Sequence, residues 1–216
     1  MLKIIRTLSI VSFVALVIMV SPAQPANYVF LPDDPDLQDL PHQSYFTWGI
    51  NWTLPSGEII TEAEIKYVNI YNWTSESVDR LYTNLLNSVT DPNGSSPPNW
   101  ISKIGYQTIT IQGTDNENSG NAFSGQGVNL APPPGYWTDP DDNQTTTTLS
   151  YFIPAVYFSW ISDGNFGFGI DPDCHYYNDK IKFKITTQPV PEPATMLLLG
   201  SGLLGLAGFA RRRFKK

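Results

Sequence analysis

Asp171 and Asp173 flank Pro172, and Asn178 with Asp179 closes the same run, Asp171-Pro-Asp-Cys-His-Tyr-Tyr-Asn-Asp179. Calcium takes about six to eight oxygen donors from carboxylates, amides and carbonyls, and a loop of this make-up offers several. Asp171, Asp173 and Asp179 are therefore the candidate ligands and calcium the candidate ion. Asp33 and Asp34 would add oxygens if the two ends of the body meet. The run lacks the D-x-D-x-D-G spacing and distal Glu of an EF-hand. Asp and Asn also build turns by bonding to their own backbone.

Aromatic rings are the second chemical resource. Of Trp48, Trp52, Trp73, Trp100, Trp137 and Trp160, most fall in strand-like segments and are expected in the core. Tyr136 and Trp137 follow Pro132-Pro-Pro134 in an irregular stretch, where exposed rings could stack on a sugar. The single cysteine, Cys174, rules out an internal disulfide. Its neighbour His175 would point to the opposite face of an extended chain, so Cys174 reads as a packing residue rather than a nucleophile. His42 and His175 are the only histidines. There is no H-E-x-x-H, G-x-S-x-G or P-loop, and nothing selects a catalytic pair among 20 acidic residues. No catalytic residue is assigned and enzymatic activity is not expected. The alternative is a secreted enzyme, for example one acting on polysaccharide.

Charge separates the body from its ends. All 20 Asp and Glu lie between Asp33 and Glu192, where only six basic residues occur (Lys66, Arg80, Lys103, Lys180, Lys182, Lys184), an excess of 14 negative charges. Such a body repels nucleic acid, having no basic stripe to replace phosphate counterions. The ends are purely basic. Lys3 and Arg6 precede an apolar run, Leu8–Val20, and then Ser21-Pro-Ala23. That is the layout of a secretory signal peptide over residues 1–26, handled by Sec-type export machinery and cleaved after Ala23, or alternatively after Ala26.

The other end has three parts. Pro189, Pro191 and Pro193 hold an extended stretch around Glu192. Residues 194–210 are uncharged and Gly-rich, about 25 Å long as a helix, enough for a thin membrane span. Arg211, Arg212, Arg213, Lys215 and Lys216 would stop transfer and stay on the cytoplasmic side. Pro191-Glu192-Pro193, the glycine-rich apolar segment and the arginine cluster together closely resemble the PEP-CTERM sorting signal. The resemblance covers residues 189–216. It implies recognition by an exosortase, a transient stay in the inner membrane, and delivery to the surface or extracellular matrix of a Gram-negative bacterium that makes exopolysaccharide. It implies nothing about the body.

Between the ends, residues 27–188 read as one domain of short strands divided by turn chemistry. The segments 45–53, 63–70, 80–86, 106–111 and 145–153 are strand candidates; 154–161 fits a short helix or a strand. Residues 115–143 form a long irregular connection. Phe166–Ile170 and Lys180–Ile185 read as a hairpin, two strands joined by the Asp-rich run, the second with Ile181, Phe183 and Ile185 on one face and three lysines on the other. Outward lysines suit an edge strand. The expected fold is a mainly β, antiparallel, jelly-roll-like β-sandwich, working as a structural or binding component near exopolysaccharide. The run 167–179 also resembles, more weakly, a stretch in β-sandwich domains of other PEP-CTERM proteins.

Overall fold

A computed structural model describes residues 24–33, 39–74, 79–91, 99–106, 120–139, 145–190, 200–205, 207, 208 and 211. Residues Gln24–Gln188 form one compact unit. Its elements in chain order are β1 (Ala26–Phe30), β2 (Asp39–Leu40), β3 (Ser44–Ile50), β4 (Glu58–Asn72), β5 (Leu81–Leu86), β6 (Asn99–Tyr106), β7 (Val128–Asn129) and β8 (Thr147–Phe152). A 3-10 turn (Ala155–Tyr157) runs into the short helix α1 (Phe158–Ser162), and β9 (Phe166–Pro172), β10 (Tyr176–Tyr177) and β11 (Lys180–Pro189) complete the unit. Pro154 stands just before the 3-10 turn, where its fixed φ and missing N–H cost nothing.

The strands form two antiparallel sheets. In sheet I the chain from Tyr176 to Thr186 runs backwards along β4: Tyr176 pairs with Asn72, the Asp179 N–H donates to the Val68 carbonyl (2.9 Å), and the Thr61 hydroxyl donates to the Thr186 carbonyl (3.1 Å). Strands β10 and β11 are thus one interrupted strand on one edge of β4. Strands β2 and β1 line its far side, Leu40 opposite Tyr176 and Ala26 opposite Thr187. Strand β8 takes the other edge of β4. The interruption is built from Asn69, whose φ of 54° places it in the left-handed region that Asn tolerates. Register with β8 shifts there, and the Asn69 amide donates to the Asp179 carboxylate at 2.5 Å. Sheet II has the order β6-β3-β9-β5-β7.

One core lies between the sheets. Phe183 of β11 meets Phe168 and Phe166 of β9, with ring centroids 4.9 and 5.7 Å away. The Tyr67 hydroxyl of β4 bonds Thr83 Oγ1 of β5 at 2.8 Å, and burial pushes the Tyr67 hydroxyl pKa up. Ile181, Phe183 and Ile185 are buried, as their alternation requires.

Two expectations are corrected. The strands around the Asp-rich run do not make a hairpin: β9 belongs to sheet II, between β3 and β5, whereas β11 belongs to sheet I. Every residue of β9 is buried, because its outward face is covered as well, Phe123 lying over Gly169. Both edges of β9 are taken, by β3 and by β5, so no edge is left to pair with β11. Nor is β11 an edge strand, since β1 and β4 flank it. Its lysines line a wet face instead, where Lys184 pairs with Glu62 at 3.7 Å.

Strands β1 and β6 and the short β2, β7 and β10 were not anticipated from the sequence; β1 and β2 fall where residues 27–42 read as an irregular entry segment. The segment 106–111 lies outside the described residues beyond Tyr106, as do 115–119 and 140–143 of the irregular connection.

Candidate functional site

The described part of the long connection, residues 120–139, is irregular apart from β7 and is bound along the outer edge of β5. Leu81 and Trp137 exchange backbone hydrogen bonds of 2.8 and 3.0 Å, the Leu130 N–H donates to the Thr83 carbonyl, and the Asn84 amide donates to the carbonyls of Phe123 and Gln126. Trp137 is half-buried, its ring 5.5 Å from that of Tyr176. Tyr136 is half-buried too, the Arg80 guanidinium 4.9 Å over one face and the Tyr82 ring set edge-on at 5.7 Å. The expected exposed pair is therefore a half-buried one, because the loop folds back on β5 instead of standing out. Trp73, just past the end of β4, is exposed at 44 %.

Asp171 and Asp173 are fully buried, and Asp179 is exposed on sheet I. Asp171 accepts the Ala122 N–H at 2.7 Å, which ties the loop to β9, and the Asp173 N–H donates to the Arg80 carbonyl. Among the described residues no group of three or more His, Cys, Asp or Glu is placed to hold a metal ion, so the three aspartates do not converge as a set. The run that carries them crosses between sheets rather than closing on itself.

What converges instead is a buried polar cluster where β4, β5, β9 and β10 end. Asp79 accepts the Tyr176 hydroxyl and, at 2.9 Å, the Asp139 N–H. Asp139 accepts the Asn72 N–H at 2.9 Å, and Asn72 Oδ1 accepts from the Thr74 N–H and the Cys174 thiol (3.2 Å). Cys174 is wholly buried, a packing residue with a polar contact. These bonds satisfy backbone groups that the sheets leave unpaired at their ends. Neither Asp79 nor Asp139 sits in a recognisable motif. Their closeness comes from a loop 60 residues away in sequence.

Burial raises the Asp79 pKa above its ordinary value; the Tyr176 hydroxyl and the Asp139 N–H pull it down, and the Asp139 charge adds to the rise. A carboxyl with a folded pKa above its unfolded one binds its proton more tightly when folded. Its contribution to stability is complete below the unfolded pKa and is lost as pH rises through the folded pKa. Asp79→Asn, which cannot ionise, removes that dependence. In urea melts, wild type is expected to gain stability relative to Asp79→Asn as the solution is acidified from neutral. A gap that narrows on acidification would contradict the assignment.

A separate cleft of about 160 Å³ is lined by Ile50, Asn51, Val89, Asp91, Trp100 and Asn165, with Gly164. Trp100 lies across Gly49, where any Cβ would collide with the indole. The cleft thus joins an indole to amide and carboxylate groups.

Of the processing residues, Ala23, Pro191, Glu192, Pro193, Arg212, Arg213, Lys215 and Lys216 lie outside the described residues. Ala26 is the first residue of β1. Residues 200–205, 207, 208 and 211 are helical, Arg211 among them. Among the described residues no helix is long and apolar enough to cross a membrane, and much of the 194–210 span falls outside them.

A mainly β body of two antiparallel sheets, followed by a proline-flanked glutamate, an apolar stretch and an arginine cluster, defines an exported protein with a C-terminal sorting tail. That tail is the PEP-CTERM protein-sorting motif, whose family model matches residues 189–213, and it marks the chain as a PEP-CTERM protein subject to exosortase processing. No curated protein and no solved structure matches the chain.

Proposed function

We propose that the chain leaves the cytoplasm by Sec-type export under its N-terminal signal and is held briefly in the inner membrane by residues 194–210. An exosortase then delivers it to the surface or extracellular matrix of a Gram-negative bacterium. The sorting motif at residues 189–213 carries this reading. Signal cleavage falls after Ala23: Ala26 pairs with Thr187, so a cut after Ala26 would shorten β1.

The body is a non-catalytic, jelly-roll-like β-sandwich, a structural or binding component of that matrix that meets exopolysaccharide. The common core of the two sheets supports the sandwich. The cleft beside Trp100 supports binding, since a flat ring next to Asn51, Asp91 and Asn165 suits the apolar face and hydroxyls of one sugar unit.

In cells lacking the exosortase, the protein is expected to stay in the inner membrane at the length left by signal cleavage. In cells that have it, a shorter form reaches the surface or medium. The same length and location in both strains would overturn the reading.

A further inference from the structure

Four of the described edge strands are guarded against pairing with another chain. Strand β6 carries the exposed Lys103, β2 and β7 are two residues each, and β1 is five residues set between Pro25 and Pro32. Lysine, proline and shortness are the devices that keep an open strand from acting as a template. Strand β8, Thr147–Phe152, has none of them, and it pairs with β4 alone. The Ile153 N–H donates to the Ala63 carbonyl (2.8 Å), Tyr151 stands opposite Ile65 and Leu149 opposite Tyr67. In an antiparallel pair alternate residues bond to the partner strand, so the N–H and C=O of Thr148, Ser150 and Phe152 point away from β4. They meet no partner among the described residues.

We propose that β8 is a self-association edge, pairing antiparallel with β8 of a second copy about a two-fold axis at Ser150. Centred there, Ser150 meets its own counterpart and Thr148 meets Phe152 of the copy, and each pair exchanges two backbone hydrogen bonds. The outward peptide groups thus complement themselves. An aromatic ring beside a β-branched residue is a favourable cross-strand pair, and it covers Phe152, which is 59 % exposed in the single chain. Charge decides where two copies can meet. With 20 acidic residues against six basic ones between Asp33 and Glu192, two bodies repel over most of their surface. Residues 144–162 carry no charge, and on the neighbouring β4 Glu64 is paired with Lys66 at 3.0 Å. At this edge the copies approach without setting like charges against each other. A two-fold contact uses the same strand on both sides, so it closes at two chains.

The test is sedimentation of the full chain in density-matched mild detergent over a rising range of concentration. The mass is expected to be one chain at dilution and two at the top of the range, and to go no further. Ser150→Pro removes an outward N–H that β4 does not use, and Thr148→Lys sets a charge on the edge; both variants are expected to stay single throughout. Should either variant misfold, the wild-type protein gives the answer alone by hydrogen exchange. Its Thr148, Ser150 and Phe152 amides are expected to slow as concentration rises, while those of Leu149 and Tyr151, bonded to β4, do not change. A single chain at every concentration, a dimer that persists in either variant, growth beyond two chains, or exchange independent of concentration would each overturn the proposal.

Discussion

Phe183→Ala is expected to destabilise the body by about 3–5 kcal/mol, the usual cost of emptying a buried aromatic site. Phe183 is fully buried on β11 and spans the two sheets. It stacks on Phe30 of β1 at 5.9 Å and meets Phe166 and Phe168 of β9 edge-on. Phe168 in turn leans on Trp48 at 5.6 Å, so the cavity would open in the middle of a connected aromatic core. Sheets on either side cannot close over it without moving whole strands, which is why little of the loss would be recovered. For a domain of this size the melting midpoint should fall by about 6–20 °C. Phe152→Ala is the control. That ring is 59 % exposed on β8, and its removal should change stability by less than about 0.5 kcal/mol. Equal losses in the two variants would mean that the sheets do not share this core.

Gly127→Ala is expected to loosen the connection from β5. Gly127 has a φ of 70°, and a Cβ there would run into the Leu85 carbonyl. Val128, the next residue, pairs with Leu85, so the backbone cannot move away without breaking β7 from β5. Overpacking of this kind costs about 1–3 kcal/mol, and the left-handed backbone adds roughly 1 kcal/mol for any residue with a side chain. Gly57 separates the two effects. It has a φ of 82° but nothing within 4 Å of its Cβ position, so Gly57→Ala should incur the backbone cost alone. Hydrogen exchange is the clearest readout: in Gly127→Ala the Leu81, Leu130 and Trp137 amides should lose protection, while those of β11 keep theirs.

The sequence was most readable where burial on one face imposes a period. Strand β11 alternates exposed or half-exposed lysines with buried Ile181, Phe183 and Ile185 just as its pattern implies. Its position was not readable, because a lysine-rich wet face looks the same on an edge strand and on an interior strand of a one-sided sheet. The run Phe-Gly-Phe-Gly-Ile announces a strand, but nothing in it says that Phe123, more than 40 residues earlier, will cover the glycine face and place β9 inside sheet II. Strand β6 has no clean alternation and follows a proline-rich segment, so the turn signal hid it. Strands β2 and β10 are two residues each, too short to show any period. The edge-on packing of His42 on His175, ring centroids 4.1 Å apart, depends on them, and so it was invisible despite both histidines being noted.

The same limit governs the polar clusters. Asp171, Asp173 and Asp179 looked like one set of donors because they are close in sequence, but the chain between them passes from one sheet to the other. Asp79 and Asp139 carried no signal at all, yet they share hydrogen bonds with each other, Asn72 and Tyr176. The sorting motif at residues 189–213 was legible, since its information is linear and does not need the fold to be read.

The most direct measurement is the intact mass of the protein recovered from the cell surface or culture medium. A polypeptide that begins near Gln24 and has lost everything beyond the neighbourhood of Pro191-Glu192-Pro193 is the predicted result. A mass that still includes Arg211–Arg213, on protein found only in the inner membrane, would contradict it.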